Sequence, residues 1–181
     1  MISTVGHSTH PIEEFIDLLR VYGVRQLVDV RTIPRSRHNP QFNRENLAAG
    51  LEASGIVYRH MPGLGGLRHP RRDSVNMGWR NASFRGYADY MQTPEFRENL
   101  EELIAFSSAA PTAIMCAESV PWRCHRSLIA DALIARGIEV REILTASKAQ
   151  SHGLTPFARV DGTQVTYPGG NNNLEFRFDG S

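Results

Sequence analysis

Lysine is almost absent from this chain: of 20 lysine and arginine residues only Lys148 is a lysine, and the rest are arginine. Cysteine is nearly as scarce. Cys116 and Cys124 are too few for a disulfide framework and read as two thiols in a chain of 181 residues. No run of about 18 consecutive apolar residues occurs, so no membrane-spanning helix is expected. The N-terminal MISTVGHSTHPIEEF lacks the basic-then-apolar pattern of a secretory signal, and a cytoplasmic location is the expectation. There is no Walker loop, no G-x-G-x-x-G and no H-E-x-x-H, so no cofactor is expected. Nor is a metal, since Cys116, Cys124 and His125 lack paired C-x-x-C spacing and a clear fourth ligand.

What is present is an alternation of strand and helix patterns. Ile2–Gly6 reads as a short strand, and Pro11 opens a helix with an apolar face of Ile12, Phe15, Ile16 and Leu19. Gln26–Val30 reads as a second strand, with Asn43 as N-cap of a helix through Ala53. Strands at Ile56–His60, Ala113–Ala117 and Ile138–Leu144 follow, with helices from Thr93-Pro94 through Phe106 and from Ser127 to Gly137. Residues 61–83 contain six glycine or proline residues and no period, which predicts a long loop. Asp161-Gly162 within ARVDGTQVTY signals a hairpin. The expected fold is α/β: a mainly parallel five-stranded sheet with helices on both faces and a C-terminal β-hairpin appendage, forming one domain over residues 1–168. The polar, glycine-rich residues 169–181 are expected to form a disordered tail.

The net charge of +1 hides an uneven distribution. Between Arg31 and Arg85 stand ten arginines and three acids, while the remainder holds ten basic and sixteen acidic residues. Arginine's planar fork suits phosphate and carboxylate, so the segment reads either as an anion- or nucleic-acid-binding face or as ordinary solvated loops. WRNASFRGYADYM interleaves aromatic with basic residues. Trp79, Arg80 and Tyr87 could stack a base and hold its phosphate, or the aromatics could anchor the loop, the role expected of Phe84.

The densest chemistry lies in AIMCAESVPWRCHRSL, Ala113–Leu128, between a strand and a helix. Cys116, inside the strand, reads as a core thiol. Cys124, near the helix N-terminus and flanked by Arg123, His125 and Arg126, has the surroundings that stabilise a thiolate. It reads either as a nucleophile or as a small residue packing beneath the loop. His125 and Arg126 suit an anion at the helix N-terminus. If the strands are parallel, His7 and Ser8, Asp29 and Arg31, His60, and Glu118 all leave the sheet at one edge, where α/β proteins bind ligands. Taken singly, His7 could be a helix cap and Asp29 with Arg31 a structural ion pair.

A phosphatase loop needs five residues between cysteine and arginine, and Cys116 to Arg123 has six. LVDVR at 27–31 is similar to a segment of rhodanese-like sulfurtransferases, without their flanking pattern. Across nearly the whole chain, GHSTHPIEEFIDLL, LVDVRTIPRSRHNPQFN, LGGLR, FRGYADYM, MCAESVPWRCHRSLIADAL and LTPFARVDG together resemble the bacterial domain-of-unknown-function family 488 (YeaO-like proteins). The resemblance directs attention to His7, Ser8, Asp29, Arg31, Pro34, Arg35, Tyr87, Cys116, Glu118, Cys124, His125 and Arg126, and implies no settled activity.

The expectation is an enzyme, hydrolase or transferase, acting on a phosphate-bearing small molecule, nucleotide or nucleic acid. His7, Glu118, Cys124 and His125 would carry the chemistry. Ser8, Asp29, Arg31, Arg35, Trp79, Arg80, Tyr87 and Arg126 would bind the substrate. The alternatives are a non-catalytic nucleic-acid or protein-binding module, and a cysteine-based sulfur-transfer or redox protein.

Overall fold

Alternation of apolar residues along one strand sets the layout of the molecule. In the computed structural model, which describes residues 1–170, β4 (Thr112–Cys116) is buried on both faces. Ala113 and Met115 join one core with Phe15, Leu19, Leu47 and Leu51. Ile114 and Cys116 join the other, with Leu100, Leu128 and Leu133. The first core is supplied by α1 (Ile12–Val21) and α2 (Arg44–Ala53). The second is supplied by α3 (Ala82–Tyr90), α4 (Pro94–Ser107) and α5 (Arg126–Ile134). The period of two therefore places Cys116 on the face that α5 covers.

Beside β4 run β1 (Ile2–Gly6), β2 (Gln26–Asp29), β3 (Val57–His60) and β5 (Val140–Thr145), all parallel, and the sheet order is β3-β2-β4-β1-β5-β6. The expected five strands are six. β6 (Lys148–Ser151) pairs antiparallel with β5 at the edge. Its KAQS sequence carries no apolar alternation because an edge strand on the rim buries little side chain. The hairpin at the Asp-Gly signal forms as β7 (Arg159–Asp161) and β8 (Gln164–Thr166), a separate two-stranded sheet. Of the expected tail, 171–181 lie outside the described residues.

The chain leaves β2 for α2 on one face and β4 for α5 on the other, so the two outgoing loops part between neighbouring strands. Such a switch point opens a crevice at the carboxyl edge of the sheet. The loop after β4 lies directly on the end of β1. His7 and Ser8 donate backbone N–H groups to the carbonyls of Cys116 and Ala117, and any β-carbon on Gly6 would collide with the Glu118 backbone.

Beyond the single helical turn at Pro62–Leu64, residues 61–81 are irregular, but several of their polar groups are tied to α3 and the C-terminal segment. Asp89 of α3 accepts from the Arg71 N–H, the Ser74 hydroxyl and the Asn76 amide, and Asn76 in turn accepts from the Tyr167 N–H. The sequence reading left α3 unassigned, and the N-cap signal was present: Asn81 accepts from the N–H groups of Ser83 and Phe84. Asn43 precedes α2 as expected, but its side-chain oxygen accepts from Ser36 instead of capping the helix.

A buried polar cluster fastens β6 and the C-terminal segment to α5. His152 bonds Asp131 through Nε2 at 2.8 Å and Glu142 through Nδ1 at 2.7 Å, while the Tyr167 hydroxyl donates to Asp131 at 2.7 Å. Burial opposes protonation of His152, but the two carboxylates outweigh it and raise its pKa from 6.5 to about 9. Its folded value exceeds the unfolded one, so the stabilisation is complete below pH 6.5 and fades as pH rises toward 9. Thermal melts of wild type and His152→Gln from pH 6 to 9 should show the wild-type advantage shrinking across that window. A constant difference would contradict the charged network.

Candidate active site

A cleft of about 550 Å³ opens at the carboxyl ends of β2 and β4. Arg31, Arg35, Cys116, Glu118, Arg123, Cys124 and His125 line it together with the apolar Ile33, Leu67 and Phe84. Pro121–Arg123 forms a single helical turn that brings Cys124 down to the start of α5.

Here one imidazole, two thiols and one guanidinium meet. His125 Nε2 donates to the Val30 carbonyl at 2.9 Å, which leaves Nδ1 as the acceptor, and Cys124 Sγ lies 3.5 Å from Nδ1. Burial lowers the His125 pKa, so the ring is neutral near pH 7. A cysteine, a neutral histidine base and a group that orients the base are the elements of an activated nucleophile. Gly66 lies over the same nitrogen: a β-carbon at that position would come within 2.7 Å of Nδ1.

Arg126 lies behind the cysteines, with 1 % of its surface exposed. Nε contacts Cys116 Sγ at 3.0 Å, Nη2 bonds the Glu118 carbonyl, and Nη1 has no partner. Among the described residues no carboxylate pairs with this guanidinium. Its backbone N–H points at Cys124 Sγ at 3.5 Å. Burial opposes ionisation of Cys124, but a hydrogen bond from Cys116, the Arg126 charge and the Arg126 N–H outweigh it and lower its pKa. Cys116 moves the other way, chiefly through burial, and is held as the protonated donor. The pair thus loses its first proton easily and its second with difficulty.

The other expected site residues divide. Arg35 and Arg123 are exposed on the cleft wall, and Glu118 is half-buried there. The Glu118 carboxylate accepts from the Val120 N–H and the Ser119 hydroxyl, so its own loop holds it, and Arg126 is fixed by the Glu118 carbonyl instead. Arg31 is 7 % exposed and clamps Asp29 through Nε at 2.9 Å and Nη2 at 2.7 Å, while also donating to the Phe42 carbonyl. The Arg31 backbone N–H also donates to Asp29, and the Tyr58 hydroxyl adds a fourth donor. This is the structural ion pair weighed for D-x-R.

His7 stacks on Phe42 with ring centroids 4.1 Å apart, donates from Nδ1 to the Ser8 carbonyl, and presents Nε2 to Arg31 Nη1 at 3.4 Å. Burial lowers its pKa to about 4, and it does not line the cleft. Ser8, also off the cleft lining, takes a left-handed turn with φ of 47°.

Trp79, Arg80 and Tyr87 are not brought to the cleft. Trp79 packs on Phe84, Phe157 and Tyr167, and Tyr87 is fully buried with its hydroxyl on the Leu64 carbonyl. Both aromatics anchor the long loop, because their large apolar surfaces gain more from the core than from solvent. Arg80 points to solvent. Much of the arginine-rich segment is likewise engaged. Arg68 stacks on Tyr90 at 3.5 Å, Arg85 holds the Trp79 carbonyl, Arg59 pairs with Glu102, and Arg71 pairs with Asp73. From its place in the strand Cys116 reads as a core thiol, with only the resemblance singling it out, and Gly66 carries no assigned role in the sequence. The strand alternation that turns Cys116 toward α5 is the available signal for the first, whereas Gly66 is marked only as part of the LGGLR block.

Fold and site together define an α/β protein with a buried thiol–imidazole–guanidinium centre at the carboxyl edge of its sheet. The family model for a domain of unknown function, DUF488, matches residues 11–133, and the chain belongs to that family. The matched span contains Asp29, Arg31, Cys116, Glu118, Cys124, His125 and Arg126, and leaves out His7 and Ser8. No curated protein matches the chain, and no solved structure does.

Replacing Asp29 by asparagine removes the counter-charge of a buried guanidinium while keeping the side-chain shape. Urea denaturation should register a loss of about 3 kcal/mol or more. Arg35→Ala, on the exposed wall, should change stability by no more than about 0.5 kcal/mol.

Proposed function

We propose that this protein is a cysteine-dependent hydrolase or transferase acting on an anionic, phosphate-bearing substrate. The observation that carries the proposal is the 3.5 Å approach of Cys124 Sγ to His125 Nδ1, with the opposite ring nitrogen tied to Val30. The Cys124 thiol gives its proton to His125, and the thiolate, stabilised by Arg126 and the start of α5, attacks the electrophilic centre of the substrate. The bond to the leaving group breaks, and the leaving group takes the proton from His125. Water or a second substrate then releases the group from sulfur.

The cleft lining supports the substrate class. Arg35 and Arg123 supply charge at the exposed wall, and Ile33, Leu67 and Phe84 offer an apolar surface beside it. A phosphate ester carrying an apolar or planar moiety, such as a nucleotide or nucleic-acid end, meets both requirements. A cytoplasmic setting is part of the proposal, since a thiol nucleophile needs a reducing compartment. Among the described residues no helix is long and apolar enough to cross a membrane.

Iodoacetamide labelling followed by peptide mapping tests the centre. Cys124 should be alkylated before Cys116, with a pH midpoint below the value of about 8.5 for a free thiol. Aryl phosphate turnover should vanish in Cys124→Ser and fall by about 10²-fold or more in His125→Ala. A Cys124 midpoint at or above that of a free thiol would overturn the reading.

A further inference from the structure

The nucleophile proposed above accounts for Cys124 and His125 but gives no task to Cys116. Nor does it explain why Arg126 is buried against two sulfurs instead of one. A buried guanidinium ordinarily has a carboxylate, as Arg31 has Asp29. Arg126 Nε faces Cys116 Sγ at 3.0 Å while its backbone N–H faces Cys124 Sγ at 3.5 Å, so the two thiols are gathered around a single residue. Both cysteines line the same cleft, both are reduced, and the strand and helix that carry them are fixed by the packing of Ile114, Leu128 and Leu133.

We propose that Cys116 and Cys124 form a reversible dithiol centre that reduces hydroperoxides, with Cys124 as the attacking thiol and Cys116 as the resolving one. The proposal rests on the reading of Cys124 as the reactive thiolate. That thiolate, its proton passed to His125 Nδ1, attacks the distal oxygen of a hydroperoxide: an S–O bond forms, the O–O bond breaks, and the departing alkoxide or hydroxide takes that proton from His125 and leaves as alcohol or water. Sulfur is oxidised by two electrons and the peroxide is reduced by two.

The sulfur of Cys116 then attacks Cys124 Sγ: the S–S bond forms, the S–O bond breaks, and the hydroxyl leaves with the Cys116 proton as water. Arg126 stabilises the Cys124 thiolate that makes the attack. An external dithiol supplies two electrons and two protons to restore both thiols. Burial suits this chemistry, because a sulfenic acid next to a second thiol closes to a disulfide before further peroxide can over-oxidise it.

The experiment uses the full chain, fully reduced, and one equivalent of hydrogen peroxide. Free-thiol titration should show two thiols lost per peroxide, intact mass should fall by about 2 Da, and dithiothreitol should reverse both. Cys116→Ser and Cys116→Ala, checked for native circular dichroism, should instead accumulate a sulfenic acid that dimedone labels at Cys124. The wild-type mass needs no variant, so it remains decisive if both variants misfold. A wild-type mass gain in steps of about 16 Da without disulfide overturns the dithiol centre. So does equal dimedone labelling of Cys124 in wild type and variants, and either result leaves the nucleophile reading standing. Two unreacted thiols without label, together with an alkylation midpoint like that of a free thiol, would remove both proposals.

Discussion

A guanidinium buried without a carboxylate is the constraint on which the site depends. Desolvating an ion costs several kcal/mol unless opposite charge or well-aligned acceptors compensate, and around Arg126 the polarisable acceptors are one carbonyl and two sulfurs. A neutral thiol is a poor acceptor, so compensation improves when one proton leaves the pair. The same Coulomb term that holds Arg126 in the interior therefore favours the thiolate, and protein stability and thiol reactivity become linked through one contact. Arg31 provides an internal contrast. Its charge is taken up by Asp29 and the Phe42 carbonyl, and Asp29 is further satisfied by Tyr58. That pair is saturated and serves the frame of β2, although Arg31 also borders the cleft.

Sheet topology places both cations at the same edge of the sheet. Parallel pairing of β2 with β4 and of β4 with β1 brings the residues after Asp29, Cys116 and Gly6 to one edge. At that edge the loop after β4 lies on the backbone of His7 and Ser8, and His125 reaches across to the Val30 carbonyl. The imidazole tautomer is consequently set by the end of β2, a strand distant in sequence from α5. Small shifts in strand register would move Val30 away and free the ring to rotate, so the rigidity of the buried central strands β1, β2 and β4 contributes directly to the acid–base chemistry.

The parallel core of the sheet, the positions of most helices and the cleft edge were legible in the sequence because apolar periodicity and Gly, Pro and Asn punctuation encode them locally. β6 was not, since KAQS at an edge buries no face and its pairing partner supplies the order. The site was legible as a set of residue types after strand ends, but its division of labour was not. Arg126 and Arg31 look alike in sequence, and only the neighbours of each guanidinium separate a saturated ion pair from a reactive one. Tyr87 and Trp79 looked equally able to stack a base. Packing on Phe96 and His125 in one case, and on Phe157 and Tyr167 in the other, directs them inward.

The irregular segment 61–81 completes the site by a different physical route. It contributes Gly66 against the His125 imidazole and Leu67 to the cleft wall, yet has almost no regular structure to position them. Precision comes instead from anchors at intervals: Tyr87 on the Leu64 carbonyl, Tyr90 on the Gly63 carbonyl, Arg68 over the Tyr90 ring, and Asp89 gathering Arg71, Ser74 and Asn76. All of these partners belong to α3, while Thr32 holds the Leu67 N–H and the Tyr167 backbone holds Asn76 and Gly78. The close approach of Gly66 excludes solvent from one side of His125 Nδ1, and with less water to screen them the charges on sulfur and guanidinium interact more strongly. Arg68 shows what arginine adds to such a loop: where a lysine would supply one point charge, its forked donor reaches two backbone carbonyls while its plane covers an aromatic ring.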